Sequence, residues 1–179
     1  KSTFAGSVGN SANPVYRTTD GLGSAGGMHM GPMAVAAGDG MTMYLLNAGE
    51  EGQPALRKID INTGKALWFH SVGGFGAGQS MAAAGDYAYM IYGANKVTSL
   101  VRMDAKTGKN APIGARIDPI ALGVISTHGL VLIGNRAYYS VPKESRIGVI
   151  DLSTGARDSD LTVPNVHGIS SDGAGDLLA

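Results

Sequence analysis

Asp60-Ile61-Asn62-Thr63-Gly64-Lys65-Ala66-Leu67-Trp68 is the stretch from which the fold is read. Its first half recurs as Asp104-Ala-Lys-Thr107-Gly108-Lys109 and as Asp151-Leu-Ser-Thr154-Gly155-Ala156, at intervals of 44 and 47 residues. In such a turn the Asp carboxylate accepts hydrogen bonds from the amides and the Thr hydroxyl that follow it, and Gly takes the left-handed position. Each copy leaves an apolar or alternating run (Leu56 to Ile59, Val97 to Met103, Ile147 to Ile150), so each is a loop that ends a strand. A second landmark precedes every copy. Gly38-Asp39, Gly85-Asp86, Gly134-Asn135 and Gly175-Asp176 follow one another at 47, 49 and 41 residues. Glycine followed by Asp or Asn suits the positive φ of a tight hairpin.

Two landmarks with one shared period of about 40 to 50 residues predict an all-β chain, a β-propeller of four-stranded antiparallel blades. Met81 to Ala84 and Tyr87 to Tyr92 are expected as the first two strands of a blade, joined at Gly85-Asp86. The Asp-x-x-Thr-Gly loop is expected to join the third strand to the fourth. Fourth strands are expected at Ala66 to Phe69, near Pro112 to Arg116, and at Leu161 to Val163. Blades are placed at 32–72, 80–117 and 129–163, and part of a fourth begins at 168. Residues 1–31 form a Gly- and Ser-rich segment that would supply outer strands of an incomplete blade if four blades closed. Their weak strand character, and the halt at Ala179, favour an arc of a larger ring of about six to eight blades. No stretch of 12 or more residues carries a helical apolar stripe free of Gly.

Composition narrows the function. Of 179 residues, 14 are Lys or Arg and 14 are Asp or Glu, so nothing in the net charge draws the chain to nucleic acid or acidic lipid. Gly, with 28 residues, exceeds the usual share of about 7%, as a chain of many turns requires. There is no Cys, which excludes disulfides, thiolate nucleophiles, Cys-ligated zinc and iron–sulfur clusters. No apolar run approaches the roughly 20 residues of a membrane span. The chain starts at Lys1, which fits a processed protein or a fragment of a longer one.

The run from Asp60 to Trp68 resembles the repeat of PQQ-like propellers, and Val166-His-Gly-Ile-Ser-Ser-Asp-Gly-Ala-Gly-Asp-Leu177 resembles the opening of NHL- and YVTN-type repeats. The resemblance spans residues 32–179. It implies a Trp packed between blades, a role only Trp68 can fill here. It also implies a mostly exported protein, periplasmic or secreted. The group holds both quinoprotein dehydrogenases and non-catalytic assembly-factor propellers. This chain lacks the vicinal cysteines that some quinoproteins stack against their cofactor.

In a propeller the first strand lines the central channel, and the residues just before it stand at one mouth. Those residues are Gln79, His128 and His167, with His29 two residues before the corresponding Gly31. The four are expected to converge as a ligand-binding site at the channel mouth. Imidazoles so placed bind a metal or exchange protons near neutral pH. A binding module that presents its loops and channel mouth to a protein or extracellular ligand is the favoured expectation, its partner being another protein or the remaining blades. An enzyme at the mouth is the alternative, either a quinoprotein-type oxidoreductase with PQQ or a polysaccharide lyase with a divalent metal. Met28-His29-Met30 with Met33 forms a weaker pattern for copper. His70 is expected past the fourth strand, on the blade periphery or in a connecting loop. Gly73 to Ser80 lacks the Lys and the helix of a phosphate loop, and Glu50-Glu51 reads as a solvated turn.

Overall fold

Antiparallel sheets follow one another along the chain in the computed structural model, which describes residues 32–37, 40–48, 54–71, 76–94, 96–124 and 126–179. The first sheet holds β1 (Pro32–Ala37), β2 (Thr42–Ala48), β3 (Pro54–Asp60) and β4 (Ala66–Ser71), in that spatial order. The second holds β5 (Gly76–Ala84), β6 (Tyr87–Ala94), β7 (Val97–Asp104) and β8 (Asn110–Ala111), with β9 (Ile120–Ala121) also paired to β7. The third holds β10 (Leu130–Ile133), β11 (Arg136–Val141), β12 (Arg146–Asp151) and β13 (Leu161–Thr162). A hairpin of β14 (Ser170–Ser171) and β15 (Leu177–Leu178) opens a fourth. These are three propeller blades and the first hairpin of another. First strands are neighbours from one sheet to the next, β1 with β5, β5 with β10 and β10 with β14. They therefore form the inner wall, and the fourth strands lie outermost.

Strand periodicity explains why the sheets stack. On β6, Ala88 and Met90 pack toward the first sheet, in a cluster with Tyr44, Leu56 and Trp68. Tyr89 and Ile91, the alternate residues, pack toward the third sheet with Leu130, Ala137, Tyr139 and Ile150. Val101 and Met103 of β7 take the first side and Leu100 the second. A strand buried on both faces reads as a nearly continuous apolar run, as Tyr87 to Tyr92 does. A large side chain such as Met90, Ile91 or Leu100 contributes about 1.5–3 kcal/mol on burial.

Both repeated landmarks have a structural basis. Gly85 and Gly134 take φ of 55° and 56° at the first central position of two-residue turns, where the type II′ hairpin calls for glycine. The carbonyl of the next residue then receives the amide just after the loop Asp. Ala105 N donates to Asp86 O and Leu152 N to Asn135 O. In the first sheet Ile61 N donates to Met41 O. Met41 thus holds the equivalent place, with Gly40 before it at φ 84°. Gly38 and Asp39 lie outside the described residues. One fourth strand needs correction. The outer edge of β7 is shared: Asn110–Ala111 pairs at Arg102 and Met103, and Ile120–Ala121 pairs at Ser99 and Leu100. Residues 112–119 loop out between them, held by a bridge of Ile113 to Arg116. The apolar run near Pro112 to Arg116 misled because Ile113 is buried against the third sheet without being a strand.

The Asp loops predict an acid response. Thr63 N donates to Asp60 Oδ1, and the amides of Lys106 and Thr107 donate to Asp104 Oδ1. The hydroxyl and amide of Ser153 and the amide of Thr154 donate to Asp151 Oδ1. Amide donors, with the Ser153 hydroxyl first at Asp151, hold these carboxyls below their ordinary value of 3.8. The fold therefore favours the charged form. That contribution is whole above the ordinary carboxylate value and is lost as pH falls below it. The share of the urea midpoint that the Asp loops contribute should be level from about pH 5 to 7 and fall below about pH 4. A variant with Asp60, Asp104 and Asp151 all changed to Asn should be less stable at neutral pH and show a shallower acid limb. An unchanged acid limb would refute this role for the loops.

Candidate functional site

The end of the inner wall where first strands begin carries Gln79, His128 and His167, and the structure links the three. Gln79 sits at a bulge in β5, between the Gly78–Tyr92 and Ser80–Ile91 pairs. The bulge turns its amide toward the third sheet. Its Oε1 accepts from Thr127 N at 2.9 Å and from Thr127 Oγ1 at 2.8 Å. Gly93 makes room for it, since a Cβ there would lie 2.7 Å from Gln79 Nε2. Thr127 is buried and is followed directly by His128, whose imidazole is exposed.

Ser140 fixes the rest. It is fully buried on β11. Its carbonyl accepts from His128 N, its amide donates to Gly129 O, and its Oγ donates to His167 O at 2.8 Å. A single serine thus anchors the backbone at both histidines. Gly129 completes the junction: a Cβ there would stand 2.8 Å from Ile169 Cγ1 and 3.4 Å from Ser140 Oγ. The approach of the fourth hairpin requires a glycine. The two imidazoles, both exposed, meet with ring centroids 5.9 Å apart and planes at 60°.

His29, Met28 and Met30, like Glu50 and Glu51, lie outside the described residues. His70 stands apart on β4, the outermost strand, half-buried against the Gly108 backbone, and burial lowers its pKa. Thr127 and Ser140 complete the site without a motif to mark them. A sequence signal existed for one of them, a serine inside the apolar run Tyr138-Tyr-Ser-Val141.

Below the rim, the first strands of the second and third sheets carry mostly apolar side chains. Met81 to Ala84 and Leu130 to Leu132, with Ser171, line a cavity of ≈ 290 Å³. No three His, Asp or Glu side chains converge to hold a metal ion among the described residues. PQQ, a tricarboxylate, calls for a cationic cradle. Among the described residues, the side chains gathered at the rim are one amide, two hydroxyls and two imidazoles, and these do not supply it. No helix among the described residues is long and apolar enough to cross a membrane.

No family model matches the sequence. No curated protein matches it either. Solved structures do. Hydrazine synthase of Kuenenia stuttgartiensis superposes with a TM-score of 0.62 at 12% identity, over 79% of this chain and 53% of that one. A Bacteroides caccae protein of unknown function gives 0.60 at 11% identity, over 82% of this chain and 51% of that one. The RRP9 WD40 repeats give 0.56 at 12%, over 77% and 41%. The chain thus spans about half the length of these structures. At such identities the likeness concerns architecture alone, and it agrees with the sheet order and stacking described above: the fold is a β-propeller's.

Proposed function

We propose that this propeller is a binding module that takes a protein ligand on the rim formed by Gln79, His128 and His167. One observation carries the reading. Residues from three consecutive sheets meet at the rim, with their backbones tied together by Thr127 and Ser140 and two imidazoles left exposed. A pre-ordered polar surface loses little freedom when a ligand docks. Exposed rings that both stack and hydrogen-bond suit recognition of a peptide segment. Low charge and abundant Gly are in keeping with a periplasmic or secreted protein.

Peptides selected by phage display on the immobilised protein test the reading. A rim-binding peptide should lose at least about tenfold in affinity, roughly 1.4 kcal/mol, when both His128 and His167 are changed to Ala. Lys106→Ala, in the Asp104 loop at the opposite end of the strands, should change nothing. Binding that survives the double histidine change and is lost with Lys106→Ala would refute the rim as the ligand face.

A further inference from the structure

We infer that His128 and His167 together chelate a divalent transition-metal ion of the zinc, nickel or copper class, an inference that rests on the rim being the ligand face. Neutral imidazole is a ligand for all three ions. The separation lies within a small rotation of what one ion needs. With metal–nitrogen bonds of about 2.0–2.1 Å, two rings on one tetrahedral ion have centroids roughly 5–6 Å apart. Here they stand 5.9 Å apart with their planes at 60°.

The pair is also held in place. His128 N donates to Ser140 O, and Ser140 Oγ donates to His167 O, so both backbones are positioned by one buried residue. Only the exposed rings have to adjust on binding, which keeps the ordering cost low. Two nitrogen donors favour these ions over calcium or magnesium, which take oxygen ligands. The histidines belong to different sheets, His128 leading into β10 and His167 into β14. A bound ion would therefore clip the third sheet to the fourth hairpin. Two protein ligands leave the other positions of the ion to water or to a donor from the docked ligand. That gives the rim a metal-mediated mode of recognition.

Titration calorimetry of the whole chain with ZnCl2, in chelator-stripped buffer, tests this. One ion should bind per chain. His128→Ala and His167→Ala should each lower the affinity at least tenfold, since a lone imidazole cannot chelate, and the double variant should show no binding at the rim. Both side chains are exposed, so the variants should keep the circular dichroism of the parent. His70→Ala should bind zinc as the parent does. Zinc should also raise the Tm of the parent and leave that of the variants unchanged. Absence of binding by the parent, or binding that persists in the double variant, overturns the inference. A selected peptide that still binds the rim in EDTA, to a protein that takes up no zinc, overturns the metal alone and leaves the rim reading standing.

Discussion

Trp68→Ala is expected to cost about 3–5 kcal/mol of stability, a loss on the scale of removing a buried indole and leaving its space open. For a chain of this length that lowers Tm by roughly 6–20 °C. The indole is 7% exposed and closes the seam between the first and second sheets. It lies against the Asp104 loop so closely that a Cβ on Gly108 would stand 2.7 Å from Trp68 Cε3. Its Nε1 donates to Ala105 O at 2.9 Å, and its ring meets that of Tyr44 at 5.9 Å. Two neighbouring substitutions give the scale. Trp68→Phe keeps an aromatic ring and loses the hydrogen bond, while Ala105 O still accepts from Lys58 Nζ at 3.2 Å, so roughly 1–2 kcal/mol should go. Leu67, next along β4, points outward at 47% exposure, and Leu67→Ala should stay within about 0.5 kcal/mol. Urea unfolding followed by far-UV circular dichroism reads all three, since Trp68 is the sole tryptophan and its fluorescence goes with it. A loss below about 1 kcal/mol for Trp68→Ala would mean that the seam does not depend on the indole.

That seam was legible in the residues because its chemistry is. Asp, Thr and Gly each have a distinct backbone role, so three copies of one loop announced three strand ends, and a Trp eight residues after the Asp announced something to bury. The rim was half legible. Gln79, His128 and His167 were found because each precedes a run that reads as a first strand, although β5 begins earlier, at Gly76. That Thr127 and Ser140 join them follows from hydrogen bonds between sheets, which no local pattern encodes. The split outer edge of the second sheet was hidden in the same way, because an apolar residue such as Ile113 has one composition whether it lies in a strand or in a loop wedged between sheets.

The seam between the second and third sheets has no tryptophan and is closed by glycine, so its most damaging substitution should be a small one. Gly114 N donates to Leu152 O, the carbonyl that corresponds to Ala105 O in the preceding seam. Gly114 approaches the Asp151 loop so nearly that a Cβ would fall 2.3 Å from both C and O of Thr154 and 2.9 Å from Gly155 N. These are backbone atoms, which cannot turn aside as a flexible side chain would. Gly114 also has φ 58°, a conformation that costs a residue with a Cβ about 1–2 kcal/mol. Gly114→Ala should therefore cost about 2–5 kcal/mol, conformational strain and overpacking together. Gly134→Ala separates the two terms. Its φ is 56°, almost the same, yet a Cβ there would meet nothing within 4 Å. It should lose only the conformational part, about 1–2 kcal/mol. The difference between the two variants measures the closeness of the seam. Gly155→Ala, where a Cβ would lie 2.9 Å from Ile113 O at φ 72°, should fall between them. Equal losses at Gly114 and Gly134 would show that the two sheets are not pressed together there. A larger loss at Gly114 would establish that one propeller joins its blades in two ways, by an indole laid on a loop and by bare backbone set against backbone.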